Sequence, residues 1–243
     1  SSGIGESLTR RLVKKGWRVV VSAGGEDKLQ KLAAEAPDQI IPVPLDITDA
    51  QAVKAAVAQI EADHGPIARA VLNAGIYVPI NAEAPVYEDY AKTFQVNLNG
   101  TAACVSAIVP KFVERRSGQL VIVSSATAFG GMPTASAYGA TKAALLNMAE
   151  CLRIELHRYG VHVQCVTPGF VETPAQDDNA FPKPFMVSAD TAANRMVSGM
   201  TANRFEVTFP RRFTWMLKLI YALPRGWHIN LVRKQTGWDK PVE

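Results

Sequence analysis

The chain has 243 residues, 48% of them hydrophobic and 20% charged, with a net charge of +4. That composition supports one large core and excludes a disordered chain. No apolar run reaches the ~18 residues of a spanning helix, so an integral membrane protein is excluded, and no signal segment is read at the start.

The chain opens on Ser1-Ser2-Gly3-Ile4-Gly5 and runs straight into a helical pattern over 6–15. A glycine-rich turn opening a helix presents backbone N–H groups and the positive helix end, as a dinucleotide phosphate-binding turn does. Such a turn follows a strand and none precedes Ser1, so a central strand ahead of Ser1 is expected. Residues 18–23 are a β-branched run read as a buried strand. A helix over 29–35 and a strand over 40–45 follow. Asp49 reads as the N-cap of a helix through 62. A strand over 67–72 is broken by Asn73-Ala74-Gly75, and one long helix covers 87–114. Residues 119–124 form the next strand, and 137–159 a helix stopped by Gly160. A strand over 161–167 ends at Pro168-Gly169. Residues 168–186 are irregular, and a loop of that length in a compact domain is usually functional. A helix near 191–200 and a strand over 205–209 close the alternation. Repeated βα units imply a parallel sheet with helices on both faces.

The strongest chemical constellation is Ser125 followed by Tyr138-x-x-x-Lys142. Tyr138 and Lys142 stand at i and i+4 and share a helix face. A cation beside a phenol favours the phenolate and makes the tyrosine an acid–base group. Ser125 ends a strand, where open α/β sheets place ligands. Alone, the Tyr–Lys pair reads rather as a surface contact. The order of Ser1-Ser2-Gly3-Ile4-Gly5, Asp46, Asn73-Ala74-Gly75, Asn97, Ser125, Tyr138-x-x-x-Lys142 and Pro168-Gly169 adds to it. Together these resemble the short-chain dehydrogenase/reductase family, common short subtype, over residues 1–210.

The resemblance implies an α/β fold: a Rossmann-type doubly wound, mainly parallel seven-stranded sheet. It implies an oxidoreductase moving hydride between a nicotinamide cofactor and a carbonyl or secondary alcohol. By that resemblance Tyr138 is the general acid, Lys142 holds the ribose and lowers the Tyr138 pKa, and Ser125 bonds the reacting oxygen. Asn97 supports a water relay to Lys142. Ser2, Gly3, Ile4 and Gly5 line the pyrophosphate, Asp46 faces the adenine, and Asn73, Ala74 and Gly75 form the cofactor wall. Pro168, Gly169, Val171 and Thr173 reach the nicotinamide end. The position that holds an acid in NAD-preferring members is Ala23, and Gly24 stands where an Arg marks NADP preference. Without a carboxylate to repel a 2′-phosphate, NADP is favoured over NAD. A homodimer through the two long helices is implied, and a cofactor-binding sensor or scaffold without turnover is the alternative function.

Phe181, Phe185 and Met186 in the long loop suggest a lid over an apolar, lipid-like substrate, or a cap on the core. Cys104, Cys151 and Cys165 are odd in number and far apart, which argues against a disulfide framework and for a reducing cytoplasm. The four histidines lack ligand spacing, so no metal is assigned.

The charge is unevenly placed. Residues 211–238 carry six cations, no acid and three of the four tryptophans, for a net +6 that leaves −2 elsewhere. This segment, taken as a helical extension over 211–243, is broken at Pro224. Its pattern fits peripheral docking on the inner face of a membrane. A contact with a partner subunit or a roof on the substrate pocket is the favoured alternative. Nucleic acid is not expected, because the rest of the chain is mildly acidic.

Overall fold

The computed structural model describes residues 1–173 and 183–239. Helix α1 (Gly3–Lys14) comes first, then β1 (Val19–Ala23), α2 (Glu26–Ala33), β2 (Ile40–Pro44), α3 (Ala50–His64) and β3 (Arg69–Leu72). The second half holds α4 (Tyr87–Phe94), α5 (Thr101–Glu114), β4 (Gly118–Val123), α6 (Ser136–Leu156), β5 (Val161–Pro168) and β6 (Val171–Glu172). It continues through β7 (Val187–Ser188), α7 (Ala189–Met200), β8 (Glu206–Phe209), α8 (Arg211–Tyr221) and α9 (Arg225–Gln235).

Strands β3, β4, β5 and β8 pair in that order as a four-stranded parallel sheet. Strands β1 and β2 form a separate parallel pair, and β6 and β7 a third. The expected single seven-stranded sheet is therefore corrected: the described strands divide four, two and two. The count of seven came from the resemblance and included a strand ahead of Ser1, whereas no ladder joins β1 to β3 among the described residues.

The sheet is doubly wound because its central strands are apolar on both faces. Leu120 and Ile122 of β4 pack with Val53, Phe112 and Leu145 from α3, α5 and α6. The alternate residues Val121 and Val123 pack with Leu8 and Leu12 of α1 and Met196 of α7. A period of two thus sends one strand into two cores, and its sequence reads as an unbroken apolar run. Gln164 of β5 is fully buried, and it satisfies three carbonyls at the end of α7, those of Gly199, Ala202 and Arg204, at 3.1, 3.0 and 2.8 Å.

Local signals explain the element ends. The Asp49 carboxylate accepts from the N–H groups of Gln51 and Ala52, both at 2.9 Å, and starts α3. Gly160, at φ 70°, supplies the left-handed turn that releases the chain into β5. The long helix expected over 87–114 is interrupted by a π-helical stretch, Gln95–Gly100. Gly100 lies so near Ile47 that a Cβ there would come within 2.7 Å of its side chain. The irregular segment expected over 168–186 contains β6, which pairs with β7 just past its end, and the N–H of Val187 donates to the Phe170 carbonyl at 3.1 Å.

Candidate active site

The ends of β3, β4 and β5 converge on a cavity of about 220 Å³. Its floor comes from the end of β4 and the start of α6. Lys142 is buried, and its Nζ donates to the Val123 carbonyl at 3.0 Å. Its ammonium stands 5.5 Å from the centre of the Tyr138 ring, so the pair does share a face. Ser124, just before Ser125, ties the helix to the strand by donating from Oγ to the Lys142 carbonyl at 2.7 Å.

Burial pushes the Tyr138 phenol up to about 12, against the pull of its hydrogen bond with Ser125. Burial also pushes Lys142 down, to about 8. The expected lowering of the Tyr138 pKa by Lys142 is therefore corrected. Both groups lose hydration, which is the largest influence on each, and the ammonium faces the ring and a backbone carbonyl. The consequence is that at neutral pH the phenol keeps its proton.

Asn97 lies behind this floor, fully buried in the π-helical stretch. Its Oδ1 accepts from the Ile76 N–H at 2.7 Å, and its Nδ2 donates to the Ile76 carbonyl at 2.9 Å and to Thr141 Oγ1 at 3.3 Å. The amide thus clasps the chain just after Gly75. A Cβ on Gly75 would lie 3.2 Å from Asn97 Oδ1 and 3.4 Å from Lys142 Nζ.

On the opposite side stands the glycine turn. Ser2, Gly3 and Ile4 line the cavity with Asn73, Gly75, Pro168, Gly169, Val171 and Thr173. Gly3 has φ +52°, and a Cβ there would lie 2.8 Å from Thr173 Cγ2. A Cβ on Gly5 would lie 3.0 Å from Asn73 Nδ2. Neither position accepts a side chain without a shift, and Gly3 brings bare backbone to the cavity beside the N-terminus of α1. A second, open hollow of about 460 Å³ is lined by Ser1, Ser2, Gly25, Glu26, Asp27 and Lys28. Ser2 borders both, so the glycine turn stands between two cavities. Backbone cradle, helix end and paired hollows fit an extended dinucleotide.

Three expected cofactor residues, Gly5, Ala74 and Asp46, do not line either cavity. Asp46 Oδ1 instead accepts from the Thr48 N–H at 2.9 Å and from its Oγ1 at 2.8 Å, which hold the carboxyl below its usual range. Phe181 lies outside the described residues. Phe185 and Met186 are exposed and do not line the cavity. Phe185 reaches toward it only through the Phe213 ring, 6.0 Å away.

Several lining residues escaped the sequence reading. Tyr77 stands edge-on to Tyr138 at 5.2 Å, and its hydroxyl bonds Thr134 Oγ1 at 2.9 Å. Met132 and Pro133 come from the loop ahead of α6. Phe213, Leu217 and Tyr221, at i, i+4 and i+8 of α8, roof the cavity. Their spacing was readable, but nothing said which face of α8 turns inward. Phe213 and Thr214 are buried, and the Tyr221 hydroxyl donates to the Gly131 carbonyl at 2.9 Å. Lys218 adds an ion pair to Glu206 of β8. For α8, the roof among the three expected uses of the tail is the one observed.

A parallel, doubly wound sheet with a glycine turn, an acid–base pair and a serine at its strand ends defines a nucleotide-dependent oxidoreductase. The family model for short chain dehydrogenase matches residues 1–182, so the chain belongs to the short-chain dehydrogenase/reductase family of NAD(P)-dependent oxidoreductases. It is 35% identical to an uncharacterized oxidoreductase of Myxococcus xanthus, covering 92% of this chain and 90% of that one. It is 32% identical to the 3-oxoacyl-[acyl-carrier-protein] reductase FabG of Thermotoga maritima, covering 72% of each. A solved structure of serine dehydrogenase complexed with NADP+ shares the fold, with TM-score 0.77, 23% identity and 86% and 90% of the two chains covered.

Proposed function

We propose that the protein reduces the carbonyl of an apolar, lipid-like small molecule with NADPH, or oxidises the matching secondary alcohol. The observation that carries this reading is the pairing of a protonated Tyr138, beside Lys142 and Ser125, with an apolar lining that includes Phe170, Phe213 and Leu217. Bound cofactor supplies or accepts the hydride. Tyr138 gives its proton to the substrate oxygen, and Ser125 Oγ bonds the same oxygen as charge develops on it. Lys142 stands ready to bond ribose hydroxyls and to favour the phenolate once the proton has left. Asn97 positions the chain at Ile76 and so holds Gly75 against the cofactor. Ser2, Gly3, Ile4 and Gly5 serve the pyrophosphate, and Pro168, Gly169, Val171 and Thr173 the nicotinamide end.

NADP over NAD is supported by Ala23 at the end of β1 and by Lys28, Ser1 and Ser2 in the open hollow. Glu26 and Asp27 on the same rim oppose a phosphate, so direct titration decides between them. Tenfold tighter binding of NAD would overturn the NADP assignment. A homodimer through α5 and α6 is supported by the exposed Ile154 on α6, and a light-scattering mass near four chains would refute it. A cytoplasmic setting is supported by three unpaired cysteines, one of them, Cys151, exposed.

The substrate class is tested by following NADPH consumption with long-chain acyl, steroid, quinone and small aldehyde carbonyls. The largest kcat/KM is expected among the long-chain and steroid carbonyls. Turnover confined to small charged carbonyls would overturn the class.

A further inference from the structure

Helix α8 is apolar on two faces. The inward face roofs the pocket. The outward face carries Arg212, Trp215, Met216 and Leu219, at i, i+3, i+4 and i+7, and Leu223 continues the line past the helix end. Trp215 is 58% exposed and Leu219 70%. Helix α9 adds Trp227, also 70% exposed, and buries none of its residues. The Tyr221 and His228 rings, 5.3 Å apart, connect the two helices. Around these apolar groups stand the exposed cations Arg211, Arg212, Arg225, Arg233 and Lys234, with no ion pair among the described residues.

We propose that the outward faces of α8 and α9 dock on an anionic lipid surface and place the roof of the pocket against it. Charge decides between this occupant and a second copy of the chain. A two-fold contact brings like to like, so it would set one acid-free cluster of cations against another. An anionic bilayer complements the same cations, each contributing at close approach, while tryptophan and leucine enter the headgroup boundary. No helix of the described residues is long and apolar enough to cross a membrane, so the contact is interfacial.

The test is co-sedimentation of the full chain with vesicles of phosphatidylcholine alone and of phosphatidylcholine mixed with phosphatidylglycerol. Binding is expected only to the mixed vesicles and is lost at high salt. Arg212→Gln/Arg233→Gln/Lys234→Gln should weaken it on the order of a hundredfold. Leu219→Gln/Trp227→Ser, which leaves the pocket-lining residues intact, should weaken it as well. Equal binding to both vesicles, or none to either, overturns the proposal. So does a self-associated species, formed without vesicles, that the Leu219→Gln/Trp227→Ser variant abolishes. Sedimentation requires no turnover, so its outcome stands apart from the carbonyl assignment.

Discussion

On the floor of the pocket, Ser125, Tyr138 and Lys142 come from the end of β4 and the first turns of α6, and hydrogen bonds with Val123 and Ser124 tie Lys142 to the strand. On the roof, Phe213, Leu217 and Tyr221 come from one helix, fixed by two buried side chains, one hydroxyl and one surface ion pair. Changes to the floor should therefore remove chemistry, whereas changes to the roof should alter which substrates fit and how long the roof stays in place.

Lys142→Met has the largest expected effect among changes around the acid–base group, a loss of about 10²–10⁴ in kcat. Its stability signature is separate. The folded-state pKa of Lys142 is near 8 against an ordinary 10.5, so between those values the unfolded chain binds more protons. Wild type should therefore gain stability relative to the Met variant as pH rises through that window, as chemical denaturation at several pH values would register. A gap that stays constant with pH would mean that Lys142 is not held in the dry site described.

Phe213→Ala acts on the roof. A cavity at this buried ring should cost about 3–5 kcal/mol of stability by denaturant titration. In protein that remains folded, KM for long apolar carbonyls should rise about tenfold with little change in kcat. An equal fall in kcat would erase the distinction between floor and roof. Gly130→Ala sharpens it from a residue that does not itself line the cavity. A Cβ there would lie 2.1 Å from the Tyr221 ring, so α8 must shift. The expected cost is about 1–3 kcal/mol, with a smaller rise in KM than for Phe213→Ala.

The two regions also differ in how far they could be read beforehand. The floor was legible because Tyr138 and Lys142 are neighbours on one helix turn, and Ser125 and Gly75 stand at strand ends. The roof was not, because α8 is apolar on both faces and periodicity does not say which face turns inward. The π-helical stretch at Asn97 left no periodic trace, since one widened turn still reads as a continuous helix. Strands β6 and β7, of two residues each, are too short for alternation to show.

The central claim is that Tyr138 supplies the proton for carbonyl reduction. Tyr138→Phe keeps the ring against Tyr77 and removes only the hydroxyl. Paired measurements of NADPH consumption and NADPH affinity should show turnover lower by about 10²–10⁴, with the dissociation constant changed less than about threefold. Retained turnover, or a variant with unchanged cellular function, would contradict the account and favour a nucleotide-binding sensor.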